Sequence, residues 1–112
     1  MDLGPFSISL NVTNLTETLE FYQALGFRIV GGDIDDNWLM LKNDVTMTGL
    51  FHGMFEQNIL TFNPQNFRKL QEELQDKGYH FELNDEAQDQ TEGPAHALFA
   101  DPDGNLILLD QM

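Results

Sequence analysis

The sequence predicts an α+β domain built from two tandem βαβββ modules. Apolar residues alternate with polar ones in several short segments, and two other segments show helical spacing with capping residues. The order also repeats, because Leu10 to Gly26 covers a strand end, a helix and a stop signal, and Leu60 to Gly78 covers the same with two extra residues. We therefore expect one domain, residues 1–112, made of modules at about 5–54 and 57–112.

The first module begins with an alternating strand, "FSISLNV" at residues 6–12. A helix is expected next, with Asn14 as N-cap, Glu17 completing a capping box and Gly26 as the left-handed C-cap residue. Its apolar stripe consists of Leu15, Leu19 and Tyr22. Three further strands are expected at "FRIVG", "WLMLK" and "VTMTGLF", with a turn at Asn43-Asp44 before the last.

The second module repeats the pattern, starting with the strand "NILTF". Asn63 is placed as N-cap of the second helix, Pro64 stands at its first position and Gly78 stops it. The apolar stripe of this helix consists of Phe67, Leu70 and Leu74. "YHFEL" is expected as the next strand, and after a polar loop "AHALFA" and "LILLD" form a hairpin around the turn DPDGN.

The composition excludes several classes of protein. The chain has no cysteine, so disulfides and thiolate metal sites are absent, and it has no apolar run long enough for a membrane helix. With 19 acidic and 5 basic residues the net charge is −14, which repels phosphate backbones and anionic membranes. We expect a soluble cytoplasmic protein with no nucleic-acid or membrane partner. The charge indicates either attraction of a cationic ligand or a solubilising coat.

Two segments, "LNVTNLTETLEFYQALGF" and "DPDGNLILLD", resemble the glyoxalase/bleomycin-resistance/extradiol-dioxygenase superfamily, also called vicinal oxygen chelate proteins. The resemblance covers nearly the whole chain. It implies that the modules curl into a mixed sheet shaped like a cup, with the helices on its outer face and a cavity inside. It also implies a homodimer.

The resemblance implies four metal-ligand positions, typically occupied by His, Gln or Glu. Here they fall on Ser7, on Gln57, on Leu108, and on a fourth-strand position among three residues whose register the sequence leaves open. Those three are Met47, Thr48 and Gly49. One plausible ligand in four cannot hold a divalent ion, since three protein ligands plus water are the usual minimum. We therefore expect no metal and no other cofactor.

If Ser7 and Leu108 face the cavity, strand alternation places further residues on the same side. These are Ser9, Asn11, Ile59, Thr61, Leu106 and Asp110, and Gln57 joins them as a polar lining residue. Trp38 and Phe51 are candidate aromatic walls. Plain core packing is the alternative for each of them.

Three histidines are candidates for acid-base chemistry: His52, His80 and His96. His52 lies near the junction of the modules, and Glu56 four residues later could partner it. A histidine can equally sit hydrogen-bonded at a strand end with no role in chemistry.

Three hypotheses about function follow. The first is a metal-free small-molecule binding protein, similar to the bleomycin-resistance branch of the superfamily, with a cationic or aromatic ligand. The second is a glyoxalase-like lyase or isomerase with a metal-independent or displaced site around His52, Glu56 and Gln57. The third is an interaction module whose cavity is filled by side chains. Whether the chain is an enzyme stays open at this point.

Overall fold

A computed structural model describes residues 1–80, 88 and 92–112, and it confirms the α+β class. The chain divides into two compact units, Ser7–Ile59 and Met1–Phe6 with Leu60–Met112. The elements are β1 (Phe6–Asn11), α1 (Leu15–Ala24), β2 (Arg28–Asp33), a 3₁₀ turn (Ile34–Asp36), β3 (Trp38–Asn43), β4 (Thr46–Phe51), β5 (Ile59–Phe62), α2 (Phe67–Asp76), β6 (Ala95–Ala100) and β7 (Leu106–Gln111). Within the described residues, none of the helices has the length and apolar composition that a membrane span requires.

The strands of the unit Ser7–Ile59 run in the order β2-β3-β4-β1. β1 pairs parallel with β4, while β2–β3 and β3–β4 are antiparallel. Helix α1 carries the chain back over the sheet, so β2 runs in the same direction as β1. Because β3 reverses this direction and β4 reverses it again, β4 is parallel to β1. In β2 the register shifts between Ile29 and Gly31, so that Val30 is an extra residue opposite β3.

Helix α1 begins after the predicted N-cap, Asn14, and ends before Gly26, the predicted stop. The Asn14 side chain accepts a hydrogen bond from the Glu17 amide at 2.9 Å, and Gly26 adopts a φ of +96° that other residues rarely tolerate. The helix packs its stripe against one face of the sheet. The buried core there consists of Leu15, Leu39, Leu41 and Leu50, with Leu10, Val12, Leu19, Tyr22 and Phe27 packed around it.

The second unit orders its strands β5-β7-β6, with β6 and β7 antiparallel. Helix α2 covers one face, and the buried core consists of Phe67, Leu70, Ala95, Ala97 and Leu109. The N-terminal segment belongs to this unit, because the Asn63 amide donates to the Pro5 carbonyl at 2.9 Å and Phe6 contacts Phe62. The expected strand "YHFEL" falls largely on residues 81–83, outside the described residues, and Tyr79 and His80 are not in a strand.

The predicted start of α2 is wrong by three residues. The N-cap is Asn66, whose side chain accepts from the Lys69 amide at 3.2 Å, and the helix begins at Phe67. Asn63 has a different partner, since its side-chain amide donates to the Asp110 carbonyl. The Phe67 amide donates a hydrogen bond of 2.6 Å to Oε1 of the buried Gln111 side chain. A residue 44 positions away in sequence therefore completes the cap.

The DPDGN turn is organised by one carboxylate. Oδ1 of Asp101 accepts hydrogen bonds from the amides of Asp103 and Asn105, and Oδ2 accepts from the Asn105 side chain at 2.9 Å. The Asn105 side-chain hydrogen bond, followed by the backbone donors, lowers the pKa of Asp101 from its ordinary value of 3.8. This agrees with reading DPDGN as a turn.

The turn predicts a small dependence of stability on pH. Because the pKa of Asp101 is lower in the folded chain, its contribution is present above pH 3.8 and is lost as the pH falls through the folded value. We expect Asp101→Asn to be less stable than the parent near neutral pH, and the difference to shrink in acid. Urea unfolding of both proteins over this range measures it. A difference that grows in acid would contradict the assignment.

Candidate functional site

The unit Ser7–Ile59 presents one sheet face that α1 does not cover, here called the helix-free face. Because Leu39, Leu41 and Leu50 point into the core beneath α1, their neighbours along β3 and β4 point the other way. The strand registers extend this face to β1 and β2. It consists of Ser7, Ser9 and Asn11 from β1, Arg28, Gly31 and Asp33 from β2, Trp38, Met40 and Lys42 from β3, and Met47, Gly49 and Phe51 from β4.

Three aromatic rings of this unit contact one another in series. Trp38 and Phe51 are cross-strand neighbours, and their rings are stacked with centroids 6.1 Å apart and planes at 7°. Phe55 follows, with its ring centroid 5.2 Å from that of Phe51 at 51°. All three side chains are only partly buried. We call Trp38, Phe51 and Phe55 the aromatic platform.

Two glycines make room for the platform. A Cβ at Gly49 would lie 2.5 Å from the Phe51 ring and 3.0 Å from the sulfur of Met40. A Cβ at Gly32 would lie 2.9 Å from the Trp38 ring, and Gly32 also has a φ of +81°. The Phe51 ring therefore occupies space that a side chain two residues earlier on its own strand would take, and the Trp38 ring occupies space that a side chain on the neighbouring strand β2 would take.

The loop that carries Phe55 is tied to the end of β1. The Asn11 amide donates to the Asn58 side chain at 3.0 Å, and the Asn11 side chain donates to the Glu56 carbonyl. The Val12 amide donates to the Phe51 carbonyl at 2.9 Å, which closes the loop at its other end. Asn11 is exposed and lies beside Phe51 in the register. The structure thus brings Asn11, Phe51 and Trp38 into one row across three strands.

His52 is exposed and is held by two backbone contacts. Its amide donates to the Asn37 carbonyl, and its ring Nδ1 lies 3.0 Å from the Val12 carbonyl oxygen. Because a carbonyl only accepts, Nδ1 carries the proton in this contact and Nε2 keeps its lone pair when the ring is neutral. Among the described residues no hydrogen bond or ion pair joins His52 to the exposed Glu56. The predicted pairing of the two is therefore not formed.

The remaining predicted lining residues fall in different surroundings. Ser7 and Ser9 are buried on the helix-free face. In the second unit, Leu108 is half-buried, paired with Leu98 and turned away from the α2 core, and Thr61 is buried. The other two histidines are exposed: His80 follows α2, and His96 lies opposite Asp110 in the β6–β7 register.

The metal-ligand positions implied by the family resemblance do not carry a fitting donor set. The β4 register places Met47, Gly49 and Phe51 on the helix-free face, while Thr48 lies on the other face, and a thioether, a hydrogen and a ring supply no nitrogen or oxygen donor. Leu108 is aliphatic. Gln57 lies in the exposed loop two residues before β5. No cluster of three potential ligands occurs in the described part of the chain.

Sequence reasoning missed Phe55 and Asp33 as members of this surface. Phe55 follows Phe51 in a segment with no periodicity, so only the tied loop reveals the contact. Asp33 is the cross-strand neighbour of Trp38, and its Oδ1 accepts from the Asp35 amide at 2.9 Å. The register shift at Val30 concealed this pairing from an argument based on regular alternation.

A separate pocket of about 190 Å³ lies at the start of α2 in the second unit. Its lining consists of Asp2, Gln65, Asn66, Lys69, Leu70 and Glu73. It contains none of the predicted site residues, and Asn66 is already engaged as the helix cap. The aromatic platform is therefore the better candidate site.

Comparisons with known proteins agree with this architecture. The family model "Glyoxalase/Bleomycin resistance protein/Dioxygenase superfamily" matches residues 4–109. A solved member of that superfamily from Vibrio splendidus 12B01 superposes with TM-score 0.69 at 14% identity, covering 96% of this chain and 97% of the other. No curated protein matches the sequence.

Two further solved structures carry different activities on a similar fold. The NAD-dependent benzaldehyde dehydrogenase from Legionella pneumophila gives TM-score 0.69 at 17% identity, over 96% of this chain and 99% of the other. Methylmalonyl-CoA epimerase of Streptomyces coelicolor, in complex with 2-nitronate-propionyl-CoA, superposes with TM-score 0.67 at 21% identity. The match covers 98% of this chain and 95% of the other. At such identities the likeness establishes the fold alone.

The packing at Gly49 predicts the effect of a single methyl group. Gly49→Ala should displace the Phe51 ring from Trp38, because the new Cβ would lie 2.5 Å from that ring. The chain has one tryptophan, so its fluorescence and near-ultraviolet dichroism report the change directly. Gly31→Ala is the matched control on the same face, since its Cβ would lie 3.6 Å from Met40. Equal spectra for the parent and Gly49→Ala would contradict the packing.

Proposed function

We propose that this chain, which belongs to the Glyoxalase/Bleomycin resistance protein/Dioxygenase superfamily, is a metal-free small-molecule binding protein whose ligand carries a flat, positively charged aromatic group. The aromatic platform is the observation that carries the proposal. Stacked Trp38 and Phe51 are partly exposed, and such rings bind planar groups through area and offset stacking.

The charges near the platform support a cation. Asp33 stands opposite Trp38, and Asp35 and Asp36 follow it in the 3₁₀ turn. A cation over the face of tryptophan is attracted by the ring, and a nearby carboxylate adds to that attraction. The net charge of −14 favours the approach of cations over the whole surface. The platform thus combines a stacking surface with a negative local potential.

The metal-free character rests on the donor set. Of the positions that the resemblance implies, Gln57 is the one plausible ligand, Ser7 offers a hydroxyl, and Leu108 and the helix-free residues Met47 and Gly49 offer no nitrogen or oxygen donor. We also propose that the protein acts as a homodimer, which the mass of the native protein tests.

A glyoxalase-like lyase or isomerase is the second candidate, and the orientation of His52 favours it. With Nδ1 bound to the Val12 carbonyl, Nε2 is free to accept a proton from a ligand. Such an enzyme would exchange a carbon-bound hydrogen of its ligand with deuterium from the solvent, whereas a binding protein returns its ligand unchanged.

The binding proposal is tested with a flat aromatic cation, N-methylacridinium, and its uncharged counterpart acridine at pH 8. We expect saturable quenching of Trp38 fluorescence, with the cation binding more tightly. Phe51→Leu should weaken binding about tenfold, the order expected when an aromatic contact worth about 1 kcal/mol is lost together with apolar area. Phe21→Leu is the matched control, because Phe21 is 61% exposed and lies on α1. Equal weakening by both variants, or no saturable quenching, would overturn the proposal.

Elemental analysis tests the metal-free character separately. Protein purified without chelators should contain far less than one equivalent of zinc, nickel, manganese or iron per chain. Added metal should leave the affinity for N-methylacridinium unchanged, because no described side chain of the platform is a good ligand. A stoichiometric metal that survives dialysis would be incompatible with this part of the proposal.

A further inference from the structure

The helix-free face carries two cations side by side, at the other end of β3 from Trp38. Arg28 of β2 and Lys42 of β3 are directly opposite one another in the antiparallel register. Side chains at opposed positions have Cβ atoms about 5 Å apart and point to the same face. Arg28 is exposed and Lys42 is half-buried.

This pairing is unfavourable unless something negative lies between the two side chains. Like charges directly opposed on neighbouring strands repel each other. The chain has 19 acidic and only 5 basic residues, yet among the described residues the side chains of Arg28 and Lys42 form no hydrogen bond and no ion pair. The flanking residue on β4, opposite Lys42, is Met47. Two of the five cations are thus juxtaposed and left without a carboxylate from the described chain.

The cation pair and the aromatic platform lie on one face at a defined separation. Trp38, Met40 and Lys42 alternate along β3, so Lys42 lies about 13 Å from Trp38 at the usual rise per residue. Half-buried Met40 stands between them. Along β3, the helix-free face therefore changes from aromatic at Trp38, beside Asp33, through apolar at Met40, to cationic at Lys42.

We propose that the ligand of the aromatic platform carries a carboxylate or phosphate group about 13 Å from its aromatic group, bound between Arg28 and Lys42. The inference rests on the proposed function and specifies its ligand as a charge-separated molecule. The planar guanidinium of Arg28 can donate two parallel hydrogen bonds to such an anion, and the ammonium of Lys42 supplies a second positive charge.

The test uses acridinium ions that carry a saturated chain on the ring nitrogen. One ends in a carboxylate about 13 Å from the ring, a second ends in the corresponding primary amide, and N-methylacridinium has no chain. Binding is measured by Trp38 fluorescence at constant ionic strength. We expect the carboxylate to bind about tenfold more tightly than the amide, as for one charge-assisted contact.

Variants locate the effect. Arg28→Gln and Lys42→Gln should each remove most of the preference for carboxylate over amide. Lys77→Gln makes the same change in net charge at the end of α2, and this variant should keep the preference for carboxylate over amide. Circular dichroism and urea unfolding establish that each variant is folded, and the ratio of the two affinities does not depend on the amount of active protein.

The outcomes separate the inference from the proposed function. If the carboxylate and amide compounds bind equally while N-methylacridinium binds, the inference is wrong and the proposed function stands. If none of the three compounds binds, the proposed function fails. A preference for the carboxylate that survives Arg28→Gln and Lys42→Gln would place the anion elsewhere and would also overturn the inference.

Discussion

The register of β3 against β4 is the constraint on which the candidate site depends. Leu39 and Leu50 are directly opposed and 2% and 0% exposed, so their burial under α1 fixes which residues of both strands face the helix. A slip of one residue would expose these leucines and bury Trp38 and Phe51 in their place. The same burial that stabilises the unit therefore positions every side chain of the aromatic platform that lies on a strand.

Much of the fold could be predicted because its signals are local. Asn14, the alternation of β1 and the DPDGN turn act within a few residues, and each was recognised from its immediate neighbours. The start of α2 could not be found this way, because Asn63 and Asn66 are both good caps and the choice depends on Gln111 bonding the Phe67 amide. For the site, the sequence indicates Trp38 and Phe51 as candidate aromatic walls, but it does not indicate Phe55. Its contact depends on the hydrogen bonds of Asn11 to a loop without periodicity.

The two sheet faces of the unit Ser7–Ile59 carry different kinds of side chain. Leu39 and Leu50 belong to the core beneath α1, and Leu109 belongs to the separate core beneath α2. On the helix-free face, Gly49 gives the Phe51 ring its place and Met47 supplies apolar surface. The side chains that β4 places on this face, Met47, Gly49 and Phe51, supply no nitrogen or oxygen donor.

The extra residue in β2 has a consequence for the polarity of this surface. Arg28 and Asp33 are five positions apart, and in a regular strand an odd separation would send their side chains to opposite faces. Val30 is an extra residue that has no partner on β3, so the alternation of faces shifts by one residue at this point. Arg28 and Asp33 therefore lie on the same face. A single inserted residue at the sheet edge thus converts two unrelated surface charges into a dipole aligned with β3. The direction of this dipole would determine the orientation in which an asymmetric ligand binds to the face.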